Sequence, residues 1–507
     1  MSKAGGKNSF QTGRWMIVLV LLGIIGMGPE RILRAGQTAI NKMVIFTMVL
    51  EKIERFYIAE RDPNELMEQA IRGLVSDLDP HSSYLSAAEY NDWKRRSQSY
   101  SGVGLNYRVQ SGGLVVTSVL NNSPAEEKGV RAGDRILRVD GKMVEYLDAA
   151  DLDAILQDDS RPSVKLQIER TGAGLLTVEL MKRYLVLPSI AAAFMITDST
   201  GYIKITRFTE ATAAELDRTM TELGRQAPKS LLLDLRDNPG GLLISAVQIA
   251  DRFLRPDRVI VSTAGRTAES SSRHVSTHNR KYPPLPMIVL VNEASASDSE
   301  ILAAALQEWD RALIVGRPTF GKGSVQTEYT FQDGSALLLT TAIYFTPLGR
   351  SLQKIKDDAS GGKSYRTPKG RIVQAETGVH PDVLLDADQP AMSETLKKIL
   401  MAPENPLLRF VESKSSTQLS SNALSFCRHY SVSETMLQSF YEAMKREGFA
   451  FSNRDRRQSD QLVRFLLKRE IAGLNWGEEG RAMVTAFSDQ QVHKSLTYLN
   501  KARALTF

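Results

Sequence analysis

Residues 287–302 read Met287-Ile288-Val289-Leu290-Val291-Asn292-Glu293-Ala294-Ser295-Ala296-Ser297-Asp298-Ser299-Glu300-Ile301-Leu302. The unbroken apolar run 287–291 is the pattern of a strand covered on both faces. A turn of small residues follows, and a helix is expected over 299–309. The same order recurs at 230–235, where an apolar run leads through a Gly-rich turn to an expected helix at 242–253. Strands and helices alternate in this way from about 184 to 390, which predicts an α/β core. Small residues at a strand-to-helix junction let a substrate backbone approach, and free amides at a helix start can hold a developing oxyanion. A serine there is a candidate nucleophile, although serine also caps helices.

Downstream, 315–326 read Val315-Gly316-Arg317-Pro318-Thr319-Phe320-Gly321-Lys322-Gly323-Ser324-Val325-Gln326. A lysine between two glycines fits a solvated turn. Buried in apolar surroundings, the same lysine would lose its proton more readily and could act as a base. Serine with lysine is a nucleophile–base pair that needs no histidine.

The segments 295–306 and 316–323 closely resemble the carboxyl-terminal processing peptidases, also called tail-specific proteases. Supporting stretches in the same order are Leu78-Asp79-Pro80-His81-Ser82-Ser83-Tyr84-Leu85, Leu233-Asp234-Leu235-Arg236-Asp237-Asn238-Pro239-Gly240-Gly241-Leu242, Tyr344-Phe345-Thr346-Pro347-Leu348-Gly349-Arg350-Ser351 and Gly378-Val379-His380-Pro381-Asp382-Val383. The resemblance spans about 45–390. It implies a ClpP/crotonase-like α/β serine protease core with an inserted β-rich PDZ domain. It further implies Ser297 as nucleophile, Lys322 as base and Gln326 as the group that orients the lysine. Backbone amides at Gly240, Gly241 and Asp298 would form the oxyanion hole. Such a dyad needs no cofactor and no metal. Glu308 falls where some members carry an assisting acid; the other reading is a solvated helix residue. Ser295 and Ser299 take the roles of turn and cap. One departure stands out: the family usually has alanine where this chain has Asp298, and a carboxylate beside a developing anion opposes it unless it points away.

Residues 98–183 change character, with short β-type runs at 103–105, 114–119, 135–139 and 164–168, and a helix expected over 148–156. The run Tyr100-Ser101-Gly102-Val103-Gly104-Leu105 resembles the carboxylate-binding loop of a PDZ domain, and 129–137 its following core. Gly102, Val103, Gly104 and Leu105 are therefore the expected tail-binding residues, since consecutive free amides capture a terminal carboxylate while the peptide adds a strand to the sheet edge. By the same resemblance the module binds substrate tails and gates the active site.

At the ends, helices are expected over 36–60 and 63–78, and 391–507 is largely helical in pattern. Residues 15–27 are apolar behind a basic start, and no A-x-A-like cleavage site follows, which suggests an uncleaved anchor with the bulk of the chain exported. The domain order expected is a basic segment and anchor over 1–28, a helical region over 29–97, the PDZ domain over 98–183, the protease core over 184–390 and a helical domain over 391–507.

Composition narrows the classes. The 507 residues carry a net charge of +6, of which +3 lies in 1–14 and +5 in 391–507, leaving −2 over 15–390. A nearly neutral centre argues against a nucleic-acid enzyme. The single cysteine, Cys427, reads as a small buried hydrophobe in a helical segment. His274 and His278 have metal-like spacing but lie in the polar stretch 263–284, expected to be a mobile loop, and read as solvated. His81 belongs to a helix-terminating turn. The expected protein is an envelope serine endopeptidase of the inner membrane or periplasm, acting on proteins with accessible C-termini, with a regulatory adaptor and a homodimer as further options. The competing class is a membrane-tethered, non-catalytic PDZ adaptor. A penicillin-recognising hydrolase fits poorly, because its serine and lysine are three residues apart on one helix and these are twenty-five apart.

Overall fold

The computed structural model describes residues 29–97, 99–110, 113–120, 122–146, 152, 155–156, 161–170, 173–277, 281–353, 364–374, 376–386, 391–402, 405–414 and 422–506. The apolar segment 15–27, most of the helix expected over 148–156, and His278 lie outside these. Among the described residues no helix is long and apolar enough to cross a membrane. The chain divides into two compact units, residues 1–86 and 87–507.

In the first unit the helices run Pro29–Phe56 and Pro63–Ser76. The second opens with Asp62 accepting the Asn64 amide at 2.8 Å and Pro63 in the first turn, where a missing N–H costs nothing. Asp79 Oδ1 then accepts the amides of His81 at 2.7 Å and Ser82 at 2.8 Å, which fixes the turn that was expected at His81.

In the second unit the β-rich module is an antiparallel sheet. Its strands run in the order Leu105–Gln110, Gly113–Val119, Arg135–Val139, Ser163–Arg170 and Gly174–Met181. Leu114, Val116, Ile136, Leu166, Ile168 and Leu180 fill its core. The chain enters and leaves through one ribbon, Ser99–Gly102 paired with Arg183–Val186, so the module is a closed insertion.

The central sheet has the order Ile190–Met195, Thr200–Ile205, Ser230–Asp234, Met287–Val291, Leu313–Gly316 and Val383–Leu384. Its first pair is antiparallel and the rest parallel. Side chains alternate across a strand, and here the alternation separates two cores. Leu231, Leu233, Met287, Val289 and Val291 pack with the helices Thr212–Gly224, Leu243–Phe253 and Asp298–Glu308. Leu232, Ile288 and Leu290 face the other way, against Phe410, Phe426, Phe440, Leu466 and Leu467 of the C-terminal helices. The C-terminal segment is thus the second covering layer of the sheet. Helices of this segment begin at Ser393, Asn405, Asn422, Ser433, Ser452 and Asp489, each with a side-chain oxygen on a first-turn amide, and a last one runs Leu499–Thr506.

A buried ionic network joins this layer to the sheet. Arg236 pairs with Asp234 at 2.6 Å and with Asp489 at 2.8 Å, and donates to Gln491 at 2.7 Å. Burial works to raise the Asp234 carboxyl, but the Arg236 and Lys204 charges override it and hold the group well below the usual carboxylate range. The long helix Asn453–Ser488 breaks at Trp476 and Gly477, and Arg481 beyond the break reaches the Thr117 carbonyl of the β-rich module at 3.4 Å.

The stretch expected as a loop at 263–284 is partly ordered β structure. Val259–Gly265 pairs with Ser272–Val275, and the Thr263 hydroxyl takes the Ser272 amide at 2.8 Å across the turn. The outer strand Ser272–Val275 is mostly exposed, whereas Ile260 and Val261 of its partner are buried in the core.

Removing 391–507 should expose the Leu232, Ile288 and Leu290 face. We expect an insoluble chain, or one without a cooperative thermal transition; a soluble truncated chain melting with the full-length protein would contradict the two-sided core.

Candidate active site

Ser297 stands where the chain leaves the central strand Met287–Val291 and turns into the helix Asp298–Glu308. Its backbone has φ 54° and ψ −112°, a costly conformation for a residue with a Cβ. The turn is held from several sides. The Ser295 hydroxyl donates to the Leu235 carbonyl at 2.8 Å, and the Ser299 hydroxyl to the Asn238 carbonyl at 2.9 Å. Ser295 is the turn residue expected, whereas Ser299 ties the helix to the neighbouring loop; the cap position belongs to Ser297 itself.

That neighbouring loop carries Gly240 and Gly241, with φ of 101° and 154°. A Cβ on Gly240 would lie 2.8 Å from the Ser297 Cβ and 3.1 Å from the Asp298 nitrogen. One on Gly241 would lie 2.0 Å from the Phe208 carbonyl oxygen. Only glycine lets this backbone rest against the serine. Both glycine amides are engaged: Gly240 donates to Asn238 Oδ1 at 2.9 Å, and Gly241 to Asp298 Oδ2 at 2.7 Å. The Asp298 carboxylate therefore points into the site. It is 1% exposed, and its Oδ1 has no hydrogen-bond partner. Burial pushes the carboxyl up to about 6, against the lowering influence of the Gly241 amide and the Lys322 charge.

The residue that organises the site is Glu300, fully buried three positions after the serine. Its Oε2 accepts the amides of Ser297 and Lys322, both at 2.9 Å. Oε1 accepts the Gly321 amide at 2.7 Å and the Thr319 hydroxyl. One carboxylate thus places the serine turn beside the lysine loop, whose bonded residues lie 19 to 22 positions on in sequence. Burial raises this carboxyl, and its four donors oppose the shift. Glu300 was missed as a site residue, yet Ser297-x-x-Glu300 has the spacing of a capping box, where the glutamate returns to the serine amide.

Lys322 is half-buried rather than enclosed. Its Nζ donates to Gln326 Oε1 at 3.3 Å, from the loop onto the strand Ser324–Thr330. Among the described residues the Ser297 hydroxyl and the Lys322 ammonium are not bonded to each other. Glu308 is no solvated residue. It is fully buried, accepts the Leu348 amide at 2.8 Å and pairs with Arg350 at 3.3 Å. It lies at the far end of the helix from Ser297, about 15 Å along the axis, and serves the turn at Thr346–Arg350.

In the β-rich module, Val103 and Leu105 are buried, and Gly104 has φ 82°, with the Ser123 Cβ only 2.2 Å from where its own Cβ would stand. The Val103 and Gly104 carbonyls accept from Ala125 at 3.0 Å and Leu120 at 2.9 Å. Across trans peptides the amides of Gly104 and Leu105 point the opposite way. Gly102 ends the entry strand, and Leu105 begins the strand that stands at the edge of the sheet among the described residues.

Cys427 is buried, and burial pushes its thiol up to about 11, away from nucleophilic use. His274 lies on the hairpin beside Ser272, at 3.3 Å.

Glu300→Gln offers one acceptor oxygen where the carboxylate has two, and turns an NH2 towards amide donors. We expect kcat on an unstructured peptide to fall by about 100-fold or more, with roughly 2–4 kcal/mol lost in thermal unfolding. Near-normal turnover would refute the clamp.

Residues 199–360 match peptidase family S41 and 115–170 match the PDZ domain. The chain is 33% identical over 344 residues to a carboxy-terminal-processing protease of Bartonella bacilliformis, covering 67% of this chain and 79% of that one. It is 30% identical over 323 residues to the carboxy-terminal processing protease CtpA of Bacillus subtilis, covering 63% and 69%. Among solved structures, the photosystem II D1 C-terminal processing protease aligns at 26% identity over 71% of this chain and 98% of its own, with a TM-score of 0.37. The chain belongs to peptidase family S41, among the carboxy-terminal processing proteases, and carries a PDZ domain.

Proposed function

We propose that this protease cleaves peptide bonds near the C-terminal tails of its protein substrates through a Ser297–Lys322 dyad. The observation that carries the reading is the shared Glu300 oxygen, 2.9 Å from both the Ser297 and the Lys322 amide. In the neutral state Lys322 takes the Ser297 proton, the alkoxide attacks the scissile carbonyl, and a tetrahedral oxyanion forms against the amides of Gly241 and Asp298, the Gly240 amide being held by Asn238 Oδ1 at 2.9 Å. Lys322 then protonates the leaving amine, and water releases the acyl-enzyme. Gln326 fixes the direction of the lysine through the 3.3 Å bond.

The PDZ module supplies tail recognition in this reading. The outward amides of Gly104 and Leu105 meet a terminal carboxylate, and the edge strand Leu105–Gln110 offers the ladder on which a peptide adds. Binding there would gate the active site. The basic start and the apolar run 15–27 support placement in the cell envelope.

Ser297→Ala and Lys322→Ala should each reduce peptide cleavage to background while keeping the thermal transition of the parent. Turnover near normal in either variant would overturn the dyad. For an otherwise identical substrate, amidating the C-terminal carboxylate should raise KM by about 10-fold or more, the worth of a charge-assisted hydrogen bond. Equal KM values for the free and amidated tails would remove the module from substrate recognition.

A further inference from the structure

The oxyanion site of this chain already holds an anion. Gly241 donates its amide to Asp298 Oδ2 at 2.7 Å, while Asp298 Oδ1 is buried with no partner. The contact is built by the fold. Asp298 is the first residue of the helix that starts at the nucleophile, and Gly240 is pressed against the Ser297 Cβ and the Asp298 nitrogen, so Gly241 lies within reach of the aspartate side chain. We infer that Asp298 is a displaceable occupant of the oxyanion site, a carboxyl gate that must leave the Gly241 amide before a scissile carbonyl can be polarised there. The inference rests on the Ser297–Lys322 reading and adds to it a control specific to this chain.

Two costs make the occupied state a poor catalyst. The amide most suited to the oxyanion is spent on a side chain. A negative charge also sits where the transition state develops its own, in a site with little water to screen it. Two events relieve both. An incoming carbonyl can displace the carboxylate, or the carboxylate can take a proton. A carboxylic acid is a weaker acceptor for the Gly241 amide, and it can itself donate to an oxyanion.

The groups acting on Asp298 are few. On its own residue is the Asp298 amide and from the glycine loop the Gly241 amide; from the lysine loop comes the Lys322 charge; from the strand Ala336–Phe345 comes Tyr344, whose phenol is raised by burial and by the Asp298 charge. Burial dominates, and it holds the Asp298 proton up to about pH 6. The gate is therefore closed and charged at pH 8, and increasingly neutral as pH falls through 6.

The test is the ratio of kcat/KM for Asp298→Ala over the parent, measured on one unstructured peptide from pH 5 to pH 8 with the full chain. The ratio cancels the steps both enzymes share. We expect it to exceed about 10 at pH 8 and to fall towards one at pH 5. Asp298→Asn, which keeps the size of the side chain but does not titrate, should give a ratio that changes with pH in the same direction, and thermal melts check that both variants fold. A ratio at or below one, or one that does not change with pH, overturns the gate. Ser297→Ala, made in the parent and in Asp298→Ala, separates the two claims. If it is inert in both while the ratio stays flat, only the gate fails; if it remains active, the dyad itself fails.

Discussion

The carboxylate of Glu300 is the constraint on which the candidate site depends. It accepts from Ser297, Thr319, Gly321 and Lys322, four donors on two segments that the chain brings together only in the folded state. An ionised carboxylate in a dry interior is costly unless donors replace its water, and here they saturate both oxygens. The desolvation cost and the organisation of the site are thus one arrangement. The strained Ser297 backbone persists because this clamp, together with the glycine loop packed on it, leaves the serine no other place to go.

The clamp works only if the strand ends that deliver its parts are rigid. The central sheet is buried on both faces, one by the crossover helices and the other by the C-terminal helices, with alternate residues of the same strands assigned to each core. Arg236 extends that rigidity to the glycine loop. It lies four residues before Gly240 and is fixed between Asp234 on the sheet and Asp489 at a C-terminal helix start. The helical tail thereby bears on the glycine loop that packs against Ser297. Through Arg481 it also touches the PDZ module, so the helical tail contacts both the module and the glycine loop.

Much of this was legible in the amino-acid order. The run 287–291 is a strand to the residue, because five consecutive apolar side chains fit only a doubly covered position. The serine turn and the lysine loop were visible as glycine- and serine-rich punctuation, and the inserted β module as a change of period. What the order did not carry was pairing over distance. Asp298 looked like a departure of uncertain direction, since which way a side chain points depends on the loop opposite. Glu308 stood open between an assisting acid and a solvated helix residue, because its partner, Arg350, lies forty-two residues on. The stretch 263–284 read as a loop because surface hairpins made of serine and threonine lack an apolar alternation. Glu300 could have been found, as the return partner of a capping box; its further bonds to the lysine loop could not.

The most direct test of the central claim is the identity of the acylated residue. Acid quenching during turnover of an activated ester, followed by digestion and fragment mass spectrometry, locates the acyl group. A single adduct on Ser297, absent from Lys322→Ala, is the expected result. An adduct on Ser295, Ser299 or Cys427, or turnover with no acyl-enzyme, would contradict it.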